Sequence, residues 1–175
     1  MARVRGVALL VLLAACGDDP ASDGPRPPTP PPIPPPVKWV RTQAPNFDLE
    51  ISVPEAWSSH YKVLQDEIHF GGPGAPGSKP ELIFGWTMGV RVPGATFSKF
   101  ENSPGYRVLD RRTTTVAGMP GAYCVFETAQ VRQILFEFAG HGGHGFVRGV
   151  APIPDFARYG PIFEEAARRV RYNPQ

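Results

Sequence analysis

The sequence lacks a membrane-spanning run, an esterase motif and a phosphate-binding motif. The apolar run at its N-terminus, Val7–Leu13, is far shorter than the roughly 20 residues that cross a bilayer as a helix. No serine lies in the G-x-S-x-G frame of an esterase nucleophile. The glycine-rich stretch 71–77, GGPGAPG, lacks the Lys-Ser or Lys-Thr pair of a phosphate loop, so it is interpreted as a flexible loop.

The first sixteen residues have the features of a secretory signal. Arg3 and Arg5 form a basic start, the apolar run follows, and small residues close it. The end of this segment, Leu13-Ala14-Ala15-Cys16, resembles the lipobox of bacterial lipoproteins. The resemblance implies cleavage after residue 15, a diacylglyceryl group on the Cys16 thiol, and an acyl chain such as palmitate on the new amine. Several acyl chains, at about 0.8 kcal/mol per buried methylene, anchor a protein firmly to a membrane.

Gly17 bears on which membrane receives the chain. It is not the aspartate that retains enteric lipoproteins in the inner membrane. Under the enteric rule, the expected location is the cell envelope, at the periplasmic face of the outer membrane or the cell surface rather than the inner membrane.

Removal of residues 1–15 leaves the chain close to neutral. It takes two arginines from the 18 Lys and Arg, which leaves 16 against 16 Asp and Glu. No basic patch with interleaved aromatic residues is present, so nucleic acid is not expected as a partner. With Cys16 lipidated, Cys124 is alone and no intramolecular disulfide can form. The strand-like sequence GAYCVFE around Cys124 indicates a buried structural thiol.

Residues 16–37 comprise the lipidated cysteine and a proline-rich linker. Ten of the 22 prolines lie between Pro20 and Pro36. Such a segment cannot build a core and favours extended polyproline II. At about 3.1 Å per residue, it could hold the domain up to roughly 60 Å from the membrane. We expect a disordered but stiff spacer; a docking ligand for a proline-binding partner is the alternative.

Residues 38–175 predict a single α+β domain, in which helices pack on an antiparallel sheet. Residues 47–57 alternate apolar and polar side chains, which predicts a half-buried strand that ends at Pro54. A loop-rich stretch, with His60 in a loop, is expected next. A short helix is predicted at 95–102, and the further strands are predicted at 81–92, 106–116, 122–129, 132–139 and 145–152.

The C-terminal helix has apolar residues at every third or fourth position. Pro161 cannot lie in the middle of a helix without a kink. We therefore expect the helix to begin at Pro161, as a first-turn proline, and to follow a looser turn at 155–160.

Several stretches resemble the PsbP-like fold. They are FDLEISVPEAW (47–57), VAGMPGAYCVFE (116–127), the hairpin ILFEFAGHGGHGFVRGVA and the final helix. This superfamily includes the oxygen-evolving-complex protein PsbP and small envelope lipoproteins of the DcrB type. The resemblance covers residues 44–172, and the insert at 71–80 departs from it. It implies an α/β/α sandwich and a mostly non-enzymatic binding or assembly module, with no catalytic residues to carry over.

The late hairpin contains the stretch AGHGGHGFVRG (139–149). With Gly142-Gly143 as a two-residue turn, His141 faces His144 and Glu137 faces Arg148 across the strands. The same register makes the opposite face of the hairpin wholly apolar and places the Phe136 ring over Gly149.

Two imidazoles facing each other could share a soft divalent metal. A metal site needs at least three protein ligands, and His69 or Glu67 would have to come from elsewhere in the chain. We therefore interpret the hairpin end as a solvated turn and keep His141 and His144 as lower-ranked metal candidates.

These features predict a membrane-anchored envelope lipoprotein that acts as a non-enzymatic binding or assembly module. Its expected partners are the membrane and an unidentified envelope protein, and neither a cofactor nor a catalytic residue is expected. The alternative is a metal-binding protein or metal-assisted hydrolase that uses His141 and His144. A role for the 71–80 loop as a lid or partner-binding loop stays open.

Overall fold

The computed structural model describes residues 37–44, 49–62, 67–74, 79–89, 91–140 and 142–172. The predicted signal, the lipidation site Cys16 and the linker up to Pro36 lie outside these residues, as does His141. The described chain is α+β, as predicted, with antiparallel strands and a C-terminal helix packed on them. No helix among the described residues is long and apolar enough to cross a membrane.

The elements follow in chain order. The strands are β1 Trp39–Gln43, β2 Leu49–Pro54, β3 Ser58–Lys62, β4 Glu67–Gly71, β5 Glu81–Met88, β6 Arg107–Val116, β7 Met119–Glu127, β8 Val131–Gly140, β9 Gly143–Pro152 and β10 Arg171–Tyr172. The helices are α1 Phe97–Glu101, between β5 and β6, and α2 Phe156–Arg168, which follows a 3₁₀ turn at Ile153–Asp155.

Seven strands form the main sheet, in the order β3-β4-β5-β9-β8-β7-β6. Consecutive hairpins build the half from β6 to β9, and β5 then pairs with the free edge of β9. A smaller sheet has the order β1-β2-β10. Strand β9 therefore lies at the centre of the main sheet, with β5 on one side and β8 on the other.

The two faces of the main sheet are covered by different helices. On the inner face, Tyr159 and Phe163 of α2 join the buried side chains of β2, β5, β7, β8 and β9 in one core. On the outer face, Phe97 of α1 is fully buried and packs with Cys124 and Phe126 of β7. The sheet thus lies between two helices.

Glycines on β9 allow aromatic rings to lie directly on the inner face. A Cβ atom at Gly149 would lie 2.1 Å from Cγ of Phe163, and one at Gly143 would lie 2.2 Å from the ring of Trp86. Any side chain at these positions would push the helix or the tryptophan away from the sheet. Close helix packing therefore depends on Gly149.

The C-terminal helix begins earlier than predicted. It runs without a break from Phe156, with Pro161 inside it, so the expectation of a start at Pro161 is wrong. Gly160, just before the proline, has no Cβ to clash with the proline ring. The first turn is also fixed by packing, because Tyr159 is buried and lies edge-on to Trp57 with ring centroids 6.2 Å apart.

The region between β2 and β5 contains two strands rather than the predicted loops. His60 belongs to β3 and pairs with His69 of β4. Strand β4 is polar on one side, but Ile68 and Phe70 are buried in the core on the other. Its polar residues therefore face the outer side of the sheet, and the sequence pattern alone favoured a loop. The predicted strands at 47–57 and 81–92, and the four predicted between residues 106 and 152, are confirmed with shifted ends.

The hairpin β8–β9 is confirmed, but its predicted register is wrong by two residues. Gly140 pairs with Gly143, so the chain turns between these two residues and not at the predicted Gly142-Gly143 pair. Gly142 has φ of 76°, in the left-handed region that glycine adopts readily. Gly143 instead belongs to β9 and lies beneath the ring of Trp86. The ring approaches the backbone so closely that only a residue without a Cβ fits at this position.

This shift changes the partners in the hairpin but not its faces, because side chains alternate with a period of two. His144 pairs with Ala139, Glu137 with Phe146, and Arg148 with Leu135. The predicted His141–His144 and Glu137–Arg148 pairs are therefore absent. Gly149 faces Ile134 across the strands, and the ring that covers it belongs to Phe163 of α2 rather than to Phe136.

Candidate functional site

A pocket of about 210 Å³ opens on the outer face of the main sheet, beside α1. Its floor is formed by β9 and its neighbours, and its rim by the loop between β5 and α1. We call it the outer-face pocket, and it is lined by Glu67, Thr87, Arg91, Thr96, Phe100, Leu135, Glu137, His144, Phe146 and Arg148.

Strand β9 supplies the floor through three alternate residues, His144, Phe146 and Arg148. They face Thr87, Gly85 and Ile83 on β5, and Ala139, Glu137 and Leu135 on β8. Gly85 gives room for the Phe146 ring, since a Cβ there would lie 2.4 Å from it. The Phe146 ring therefore lies close over the backbone of Gly85.

Glu137 is a buried carboxylate that holds the loop before α1 against the sheet. Its side chain is almost fully buried and accepts hydrogen bonds from the Gly94 backbone N–H at 2.7 Å and from the Thr96 hydroxyl. Burial raises the pKa of this carboxyl, but the contacts to His144, Thr96 and Gly94 outweigh burial and hold the pKa below its usual value. Glu137 is therefore a carboxylate at neutral pH.

His144 lies next to this carboxylate. The residue is only 5% exposed, and its Nε2 lies 3.8 Å from Oε2 of Glu137, which is an ion-pair distance rather than a hydrogen bond. Among the described residues, Nε2 has no hydrogen-bond partner. Because nearly all buried polar atoms are hydrogen-bonded, this orphaned nitrogen marks the pocket as a place where a further polar group fits.

Arg148 provides a second orphaned group. Its Nε is buried and has no hydrogen-bond partner in the described part of the chain. Neither Arg148 nor the exposed Arg91 at the rim forms a salt bridge with a described residue. The pocket therefore contains two cationic side chains that no described carboxylate neutralises directly.

Glu67 borders the same pocket but is already engaged. Its Oε2 lies 2.9 Å from Nε2 of His69, while Nδ1 of His69 lies 2.6 Å from Oε1 of Glu81. His69 is buried between the two carboxylates of β4 and β5. These two contacts link β4 to β5, and they engage the carboxylate of Glu67 within the sheet.

The structure thus brings some of the predicted metal candidates together and separates others. His144 and Glu67 border one pocket, although they are 77 positions apart in sequence. His141 lies outside the described residues, and His69 is directed to Glu67 and Glu81. Across the described ranges, no group of three His, Cys, Asp or Glu side chains is arranged to hold a metal ion.

Sequence reasoning missed Glu137 and Arg148 as pocket residues, because the expected register paired them with each other. It also missed Thr96 and Arg91, which lie about forty positions or more before Glu137 in the chain. The available signal was a glutamate within the otherwise apolar run ILFEFA, since a buried charge requires partners.

A second depression of about 220 Å³ lies at the start of the domain. It is mostly apolar, with Trp57, Tyr159 and Ile162 in its wall and Val37 at its edge. Two of its three charged residues, Lys38 and Glu55, pair with each other at 2.7 Å, and the third, Arg158, lies over the ring of Tyr159. No orphaned buried polar side-chain atom of the described residues lies in it, so the outer-face pocket is the stronger candidate.

Cys124 is buried, as predicted, and it forms no disulfide with a described residue. It is fully buried beneath α1, and burial raises the pKa of its thiol to about 11. A thiol with that pKa is almost entirely protonated at neutral pH, and the protonated form is a poor nucleophile.

Comparison with known proteins identifies the fold. No protein-family model matches the chain, and no curated protein sequence does. The PsbP of Synechocystis sp. PCC 6803 (CyanoP) superposes with a TM-score of 0.58 at 8% identity, over 78% of this chain and 93% of that one. LpqN, involved in cell envelope biogenesis of Mycobacterium tuberculosis, superposes with a TM-score of 0.56 at 12% identity, over 79% and 92%. The chain therefore has the PsbP-like fold, as the sequence resemblance implied.

Proposed function

We propose that the chain is a lipid-anchored protein of the bacterial cell envelope that works as a non-enzymatic binding or assembly module. The observation that carries the proposal is the order of its parts. A lipobox-like Leu13-Ala14-Ala15-Cys16 is followed by a proline-rich segment and then by a domain with the PsbP-like fold. That fold is shared with LpqN, a protein involved in cell envelope biogenesis.

The chemistry of Glu137 in the outer-face pocket, and that of Cys124 beneath α1, support binding rather than catalysis. A general base works best when its pKa is near the working pH, whereas the pKa of Glu137 is held below its usual value. Both oxygens of Glu137 also accept hydrogen bonds that hold the loop before α1. The buried Cys124 thiol, with its pKa raised to about 11, is poorly suited to act as a nucleophile.

Anchoring is tested by replacing the two cysteines separately. In cells fed labelled palmitate, Cys16→Ser should abolish labelling and move the protein from the membrane fraction to the supernatant. Cys124→Ala is the matched control, because Cys124 is buried inside the domain and should not affect either result. Persistent labelling and membrane association of Cys16→Ser would show that the lipoprotein proposal is wrong.

The partner is tested on the anchored protein in its native envelope. Cross-linking in intact cells, followed by purification of the full chain, should recover a discrete envelope protein. The same recovery from Cys16→Ser cells should fall, because the released domain no longer meets the membrane surface. Equal recovery from both would contradict a role that depends on the anchor.

A further inference from the structure

We propose that the outer-face pocket binds a small organic anion that has an apolar part, such as a short-chain carboxylate or phosphate ester. This inference rests on the proposed function, because it names the ligand class of a binding module. Three features of the pocket support it: orphaned buried polar atoms, arginine side chains without a salt bridge to a described residue, and an apolar wall.

The orphaned atoms define what the ligand must supply. Among the described residues, His144 Nε2 and Arg148 Nε are the buried side-chain polar atoms without a hydrogen-bond partner, and both residues line this pocket. A guanidinium group donates hydrogen bonds and cannot accept them. The partner absent at Arg148 is therefore an acceptor oxygen, and a carboxylate or phosphate presents several of them.

The unpaired arginine donors of the pocket favour an anion over a cation. Its two carboxylates are engaged, Glu67 with His69 and Glu137 with the N–H of Gly94 and the hydroxyl of Thr96. The guanidinium groups of Arg91 and Arg148 are not paired with any described carboxylate. An anion entering the pocket would gain these two charged donors, whereas a metal cation would have to compete with the existing contacts of the carboxylates.

The shape of the pocket adds an apolar part to the ligand. Phe146 lies between His144 and Arg148 on the floor, and Leu135 lies directly opposite Arg148. The strand rise places the backbones of His144 and Arg148 about 13 Å apart, so an inorganic ion would fill only one end. A volume of about 210 Å³ is below the range of pockets for drug-sized ligands, which indicates a small molecule.

The test uses the full chain in phosphatidylcholine nanodiscs, which avoids free detergent in an apolar pocket. Isothermal titration calorimetry compares hexanoate and hexyl phosphate with hexanol and hexylammonium, which share the apolar part but not the negative charge. We expect the two anions to bind at least about tenfold more tightly than the neutral and cationic probes. Equal affinities for all four probes, or no binding by either anion, would overturn the proposal.

Two arginine variants locate the site. Arg148→Gln should weaken binding of hexanoate and hexyl phosphate about tenfold or more. Because Arg148 is partly buried and its loss could disturb folding, Arg91→Gln is the second variant. Arg91 is exposed, so its replacement should leave the fold intact and weaken binding several-fold. Arg41→Gln, on an exposed position of β1 outside the pocket, is the matched control and should bind like the unchanged chain.

Unchanged affinities in both pocket variants, with intact circular dichroism spectra, would overturn the assignment. Tight binding of zinc ions, without binding of the anionic probes, would also overturn the proposal and would favour a cation site at His144 and Glu137.

Further nanodiscs that contain phosphatidic acid identify the source of the anion. If hexyl phosphate binds in phosphatidylcholine discs and is displaced in the acidic discs, the natural anion is a lipid headgroup. If it binds equally in both, the ligand is a free organic anion; either result supports the proposal.

The failure of this inference is distinguishable from the failure of the proposed function. If Cys16 is labelled with palmitate but no anionic probe binds, the proposed ligand class is wrong and the proposed lipid anchor is supported. Conversely, the anionic probes could bind in a way that depends on Arg148 while Cys16→Ser fails to release the chain from the membrane. That result would support the ligand class and contradict the lipid anchor.

Discussion

Glu137→Gln is the most informative single change, because it removes a charge from the junction of the sheet, the loop before α1 and the outer-face pocket. The carboxylate of Glu137 accepts a hydrogen bond on each oxygen, from Gly94 and from Thr96. Glutamine offers one oxygen, and its amide nitrogen must face the other donor. Losing one hydrogen bond to a buried charged group costs roughly 1–3 kcal/mol. We therefore expect the free energy of unfolding to fall by about 2 kcal/mol at neutral pH.

The pH dependence of that difference tests the charge itself. The pKa of Glu137 is lower in the folded than in the unfolded chain, where it is close to 4.5. The folded chain therefore binds fewer protons, and the stability due to the carboxylate is present above about pH 4.5 and lost as the pH falls through the lower folded value. Glutamine does not titrate, so the gap between the unchanged chain and the variant should narrow below about pH 4.5.

The assay is urea denaturation followed by tryptophan fluorescence, at about pH 7 and at steps down to about pH 3. Glu55→Gln is the control, because Glu55 is half exposed and its salt bridge within the described part of the chain is to the exposed Lys38. Its effect should stay within about 0.5 kcal/mol at every pH. A gap for Glu137→Gln that is constant from neutral to acid pH would refute the assignment of Glu137 as a buried carboxylate.

Three further predictions follow from local geometry. Gly149→Ala should lower the free energy of unfolding by about 1–3 kcal/mol, because its new Cβ would lie 2.1 Å from Cγ of Phe163. The loss should be smaller in a Phe163→Leu background, and full additivity in urea denaturation would contradict the contact. Ala117 has φ of 52° in the turn between β6 and β7, so Ala117→Asn should raise thermal stability by a few tenths of a kcal/mol to about 1 kcal/mol. A lower melting temperature would count against that strain. Cys124, with its pKa raised to about 11, should not react with a thiol reagent at about pH 8 until the chain unfolds. Rapid labelling of the folded Cys16→Ser variant would disprove this.

The sequence predicted the elements whose periodicity is simple. Strand β2 and the strands from β5 to β9 follow runs of alternating or continuous apolar residues, which is how half-buried and buried strands arise. Strands β3 and β4 were not predicted. The pattern of β4 misled because its polar residues Glu67 and His69 face the outer side of the sheet, where His69 contacts Glu67 and Glu81. The start of α2 was missed because Pro161 is tolerated after a glycine and the first turn is fixed by the packing of Tyr159 on Trp57.

The candidate site was only partly accessible from the sequence. The stretch AGHGGHGFVRG indicated a hairpin and the correct faces, because a two-residue shift of register keeps every side chain on its side. It did not indicate the register, which depends on Trp86 from another strand lying over Gly143. With the register moved by two residues, the expected histidine pair is replaced by His144 beside Glu137.

The sequence by itself determined the α+β class of the domain, and it predicts the parts that precede the domain: an export signal that ends in a lipobox-like motif at Cys16, and a proline-rich linker. These features are local, since they depend on composition, on short motifs and on the spacing of apolar residues along one segment. Only the tertiary structure decided which side chains share the outer-face pocket, because Glu67 and His144 meet through strand pairing, and the loop that carries Arg91 and Thr96 is held to the sheet by Glu137. The orphaned nitrogens of His144 and Arg148 exist only after burial, and burial is a property of the folded chain.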